Sequence, residues 1–334
     1  MRYLLAAILV AALGWSGYWL IGAHLTETGV TGWLETRQAE GWVAEYEDVT
    51  TRGFPNRFDT TIARPSLADP ATGLAWSAEF VQFLSLSYRP HRLIAVLPDA
   101  QTISTPFQTV TLGAEDLRAS LILSPDRSMT LRRTTIEGQD LSLASTLGWD
   151  MRARHMILAL RQTPERPLSY DMALTFTDVT PPALLTRLLG RTGLAGNGLG
   201  AAQAEGSVTF DAPWDLAALE DRRPQPRHVR LSRSRIGWGE MVLQAQGAFD
   251  VDEAGRPDGE VTVRATNWRG MLQVAGESGA LNPDLARLVE SGLNLLARAG
   301  GDENAIDVPL RLRNGQMTLG GVIPLGPAPV FLLR

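Results

Sequence analysis

The chain has 334 residues, 44% of them apolar and 20% charged, which suits a folded protein with a real core and not a disordered one. It contains no cysteine and no lysine, all 31 basic residues being arginine. That excludes disulfides, thiol nucleophiles, cysteine metal sites, lysine Schiff bases and a P-loop lysine. A net charge of −5 and a pI near 5.5 argue against a dedicated nucleic-acid binder.

Leu4 to Ala23 (LLAAILVAALGWSGYWLIGA) is uncharged and follows Arg2. Twenty helical residues reach about 30 Å, the hydrocarbon thickness of a bilayer. Trp15, Tyr18 and Trp19 sit near the distal end, where amphipathic rings favour the membrane–water interface, and Glu27, Glu35 and Glu40 follow. The positive-inside rule then keeps the terminus cytoplasmic and exports the rest, as in a single-pass protein of a bacterial inner membrane with a periplasmic body. A cleaved signal peptide is the competing reading, but Ile21 and Ala23 supply only half of the small-residue cleavage pattern. Residues 1–24 are therefore assigned to an anchor or signal segment and 25–334 to an exported body.

Thr26 to Ala44 reads as a short helix with Val30, Trp33, Leu34 and Gln38 on one side. Beyond it the apolar period becomes two. Leu168, Tyr170, Met172, Leu174 and Phe176 alternate with polar or small residues, as do Leu117 to Leu123, Met241 to Phe249 and Val261 to Ala265. Asp252 to Gly259 (DEAGRPDG) reads as a hairpin tip. Asn314-Gly315 accepts the positive φ angles of a type I′ turn and sets Leu312 opposite Met317 and Leu310 opposite Leu319. Two helices interrupt the strands. Thr180 caps one carrying Leu184, Leu185, Leu188 and Leu189, and Asn282 caps one carrying Leu285, Leu288, Val289, Leu293 and Leu296. Each follows a strand and ends in glycine, which suggests two related halves meeting near 192–203. The expected fold class is mostly β with a few helices (α+β): a transmembrane helix followed by long, curved, mainly antiparallel sheets.

Candidate chemistry is sparse, and no catalytic residue, cofactor or metal is expected. The cluster TGLAGNGLG (Thr192 to Gly200) follows a helix and leads to a strand, the reverse of a phosphate loop, so it reads as a linker. Gly276 to Ala280 (GESGA) is close to a nucleophile elbow around Ser278, which would need a parallel sheet and a histidine base. His24, His91, His155 and His228 show no metal spacing. The arginines between Arg222 and Arg235 read as a charged strand edge, or as head-group contacts, with alternation sending Arg230 to one face and Arg233 with Arg235 to the other.

The stretch Arg52 to Asp59 (RGFPNRFD), Leu86 to His91 (LSYRPH) and the closing LRNGQMTLG with PLGPAP resemble the uncharacterised alphaproteobacterial proteins of domain-of-unknown-function family 2125. No activity is assigned to that family, so the resemblance carries no functional residue. It implies an AsmA-like envelope architecture and, through it, lipid movement or envelope maintenance. In physical terms Gly53 allows unusual dihedrals, Pro55 holds Phe54 extended, and Phe54 is expected to anchor in the core.

The expected function is therefore that of an envelope protein meeting inner-membrane lipids, binding or transporting lipid in an apolar groove lined by Leu174, Phe176, Leu243, Phe249, Leu310 and Leu312. A closed sandwich acting as a scaffold, and a hydrolase built on Ser278, are the alternatives.

Overall fold

A computed structural model describes residues 1–183, 186, 187, 190, 200–220, 222–277, 283–321 and 323–333. The chain is mostly β and forms two compact units, Met1–Pro125 with Thr134–Gly148, and Asp126–Arg133 with Trp149–Arg334. Every strand pairing described within them is antiparallel, and the sheet does not close into a barrel.

In the first unit, helix α1 (Arg2–Ala39) is continuous, so the short helix expected from Thr26 is the second half of the anchor helix. It stops where Gly41 takes a φ of +89°. The sheet is a meander of long strands that are each broken once: β1 (Val43–Glu45) with β2 (Asp48–Arg52), β3 (Arg57–Ala63) with β4 (Ser66–Asp69), β5 (Leu74–Ala78) with β6 (Phe80–Leu86), and β7 (Arg89–Val96) with β8 (Ala100–Ser104). The register carries straight through the first two breaks: Val43 faces Ala68 and Asp48 faces Ala63, while Arg57 faces Leu86 and Ser66 faces Ser77. β9 (Thr109–Leu123) is unbroken and pairs with both β7 and β8. β10 (Leu131–Ser145), which belongs to this unit from Thr134, pairs with β9. The breaks line up near Glu47, Arg64–Pro65 and Glu79, where Glu47 N–H donates to Ala63 O and Arg64 N–H to Glu79 O. They crease the sheet without losing the ladder.

The helix runs antiparallel to β1 and β2. The Gln38 side-chain amide donates to Ala44 O, Thr51 N–H donates to Glu27 Oε1 at 2.6 Å, and Trp15 Nε1 donates to Pro55 O at 3.0 Å. About 35 Å of helix from Trp15 to Gln38 matches about 36 Å of strand from Ala44 to Pro55. One stripe of α1, namely Trp19, Ala23, Leu34 and Arg37, is buried by this docking. Phe58 fills the space between Trp19 and Gly22, so Phe58 is the buried anchor of the GFPNRF stretch. Phe54 is not: it lies at the β2–β3 tip, 55% exposed, with its ring edge-on to Trp19. Gly53 does adopt the positive φ expected, +105°, and a Cβ there would meet Arg57 at 2.8 Å.

The second unit is a meander of β11 (Asp150–Gln162), β12 (Ser169–Val179), β13 (Gly200–Phe210), β14 (Pro226–Trp238), β15 (Met241–Val251), β16 (Pro257–Thr266), β17 (Ala305–Arg313), β18 (Gln316–Leu319) and β19 (Ile323–Pro327), each paired with the next. Asn314 and Gly315 take φ of 53° and 72°, and the hairpin has the expected register, Leu312 to Met317 and Leu310 to Leu319. Helices α2 (Trp268–Glu277) and α3 (Pro283–Gly300) lie between β16 and β17. The sequence reading missed α2, although Asn267 accepts from Gly270 N–H at its start and Trp268, Met271 and Leu272 follow at helical spacing. The Leu184 to Leu189 stripe, most of the meeting point near 192–203, and the Asn282 cap lie outside the described residues.

Candidate functional site

Residues directly opposite one another in neighbouring strands point to the same side of a sheet. In the second unit one such row runs Met156, Phe176, Ala202, Ile236, Leu243, Ala265, Ile306 from β11 to β17. Parallel rows pass through Leu158, Leu174 and Ala204, through Val261, Leu310 and Leu319, and through Phe249, Gly259 and Leu312. All six residues expected to line a groove therefore share one apolar face. A one-residue bulge keeps this true across β14: Leu231 faces Gly247 but Ser234 faces Ala245. The same bulge corrects the expected split of arginines. It reverses the alternation between Arg230 and Arg233, so Arg230, Arg233 and Arg235 stand opposite Ser207, Glu205 and Gln203 on the polar side.

The apolar face is covered in two places, and its exposed large side chains lie beside the β14–β15 turn. In one, α2 and α3 bring Trp268 and Ala297 onto Ala265, Ile306 and Val308, with Met271, Leu272 and Leu293 around them. In the other the C-terminal segment returns. Phe331 lies 5.1 Å from Phe249, its N–H donates to Gly255 O, and Gln225 bonds both backbone groups of Leu333. Leu312 is buried, whereas Leu174, Phe176, Phe249 and Leu310 are half-buried. Ile236 and Leu243 remain 41% and 40% exposed.

The opposite face is wet and ion-paired. Arg264 bonds Asp307 at 2.7 Å and Asp302 at 3.3 Å, and Arg311 bonds Glu260 at 2.8 Å. A depression of about 570 Å³ there is lined by Arg233, Gln244, Gln246, Thr262, Arg264 and Asp307. Beside the C-terminal clamp, burial alone would raise the Asp211 carboxyl. The Gln225 N–H together with Arg222 and Arg227 outweigh it and hold the group below the ordinary aspartate value. Burial, opposed by Arg132, raises the Tyr170 hydroxyl, which stays a neutral donor to Leu131 O at 2.9 Å.

His228 Nδ1 lies 2.8 Å from Asp250 on the exposed polar side, and no group of three His, Asp or Glu residues among those described is arranged to hold a metal. Gly276 and Glu277 end helix α2, and Ser278 to Ala280 lie outside the described residues.

The arrangement defines a class: a helix of membrane-spanning length and apolarity followed by an open antiparallel sheet with one apolar face. Within that class the chain belongs to the family described as "Uncharacterized protein conserved in bacteria (DUF2125)", whose model matches residues 19–329. No curated protein and no solved structure matches it.

Proposed function

We propose that this is a single-pass inner-membrane protein of the bacterial envelope, with α1 retained, its terminus cytoplasmic and the body periplasmic, which holds acyl chains on the apolar face of its second unit and catalyses no reaction. The carrying observation is that face. Seven strands align apolar side chains across it, yet Ile236 and Leu243, paired beside the β14–β15 turn, stay about 40% exposed. Apolar surface left in water costs about 25 cal/mol per Å², so an open face of this kind favours an apolar occupant. A mean hydropathy of 1.9 in a window of which 6% is buried sets α1 apart from a soluble core helix, and its retention is supported by the bonds of Trp15, Tyr18 and Trp19 to the first unit's hairpin tips. The AsmA-like likeness adds an analogy of fold and no more.

A photoreactive amino acid at Leu243, on the apolar face, and at its neighbour Gln244, on the polar face, tests the reading in cells. Phospholipid adducts identified by mass spectrometry at 243 and absent at 244 are expected. A protein adduct at 243, or none, replaces lipid binding with a scaffold role. For the topology, alkaline phosphatase fused after Arg334 should be active and the protein should resist carbonate extraction. An inactive fusion reverses the orientation.

A further inference from the structure

We infer that the tips of the β2–β3 and β6–β7 hairpins, carrying Phe54, Leu86 and Tyr88, are seated in the interfacial layer of the bilayer that α1 crosses. This rests on α1 being a retained span, and it concerns a surface of the first unit that the lipid-binding face does not include.

The depth follows from hydrogen bonds. Trp15 Nε1 donates to Pro55 O at 3.0 Å, Tyr18 Oη to Ser87 O at 2.6 Å, and Trp19 Nε1 to Arg57 O at 2.7 Å. The two tips are themselves joined, Ser87 N–H donating to Asn56 O at 2.9 Å. From Arg2 to Trp15 the helix climbs only about 20 Å, and crossing about 30 Å of hydrocarbon takes it to the level of Ile21 or beyond. The tips bonded to Trp15 and Tyr18 therefore lie no higher than the membrane boundary.

A second observation fixes the same level independently. Trp19 and Ala23 are buried against the sheet, while Leu20, Ile21 and Leu25 on the same turns are 62%, 64% and 63% exposed. Over these turns one side of α1 meets protein and the other presents bare apolar side chains that only lipid would satisfy. Lipid and hairpin tips thus share one depth. The chemistry of the tips agrees. Phe54, Leu86 and Tyr88 are 55%, 38% and 57% exposed, and exposed Arg52 and Arg89 flank them at head-group height. Carbonyls of a loop placed where water is scarce need a donor, and the aromatic side chains of α1 supply one to Pro55, Arg57 and Ser87.

The chain has no cysteine, so single cysteines report without background. The full chain is reconstituted in vesicles of phosphatidylethanolamine and phosphatidylglycerol, with an environment-sensitive fluorophore on Tyr88→Cys, Phe54→Cys, Leu20→Cys or Phe107→Cys, and quenched by spin-labelled phospholipids. Phe107, 85% exposed, lies at the opposite end of the same sheet, between β8 and β9. The expected result is blue-shifted emission and quenching at Tyr88 and Phe54 close to that of Leu20, with Phe107 behaving as in water. Tyr88 decides, because Phe54 also packs on Trp19. If Leu20 is quenched while Tyr88 matches Phe107, the seated tips are wrong and the span stands. If Leu20 is unquenched too, the span itself is wrong and the inference falls with it.

Discussion

Where α1 meets the sheet of the first unit, Trp15, Tyr18 and Trp19 each end on a backbone carbonyl, and Phe58 is enclosed at 7% exposure. On the apolar face of the second unit, Ile236 and Leu243 have only apolar neighbours in the ladder and stay about 40% exposed. Hydrogen bonds are directional, so the first surface holds one partner in one geometry. Apolar contact is not directional, and a face built on it can exchange what covers it. The dock therefore suits a permanent joint, and the apolar face suits the exchangeable occupant proposed for it.

This contrast is breakable by substitution, starting with the largest effect. Phe58→Ala should cost about 3–5 kcal/mol in chemical denaturation of the detergent-solubilised protein, the usual loss for a buried aromatic. Phe54→Ala, exposed at the tip, should cost under about 1 kcal/mol in the same assay. Equal effects would mean that the two rings do not divide into anchor and rim. A Cβ on Gly22 would lie 2.5 Å from Phe58 Cζ, so Gly22→Val should destabilise by about 1–3 kcal/mol through overpacking.

In the second unit the strain is conformational. Gly315 has room for a side chain, its nearest neighbour to a new Cβ being Arg256 at 3.7 Å, but its φ is +72°. Gly315→Val should therefore cost on the order of 1–3 kcal/mol, readable as a lowered Tm. A neutral result would mean that the turn rearranges.

The smallest effect belongs to Asp211. Its folded pKa is depressed, so its contribution is present above the unfolded value near 3.9 and is lost as pH falls through the folded value. Asp211→Asn should lower stability at neutral pH by about 1 kcal/mol or less and flatten the fall on acidification below pH ~4. A variant with the wild-type acid profile would show that Asp211 does not hold Gln225 and the C-terminal segment.

Local patterns were enough for most features that depend on neighbours in the chain, helix α2 being the exception. The uncharged run Leu4–Ala23, the alternation in β12, β15 and β16, and the Asn314-Gly315 turn with its register are short-range, because strand period, helix rise and turn dihedrals are properties of a few consecutive residues. Alternation also put Leu174 with Phe176 and Leu243 with Phe249, and strand pairing then joined them with Leu310 and Leu312 on one face. What alternation could not show was the bulge in β14, since one extra residue reverses parity without any mark in composition. Nor could it show which of two phenylalanines in GFPNRF is buried, because that depends on α1 lying along β2 and β3, some 40 residues away in sequence. By residue type Trp15, Tyr18 and Trp19 suit an interface, but which groups they meet, the carbonyls of loops brought there by the meander, is not in the local pattern. Helix and strand rises match over about 35 Å only once the two run side by side, and that alignment is a tertiary fact.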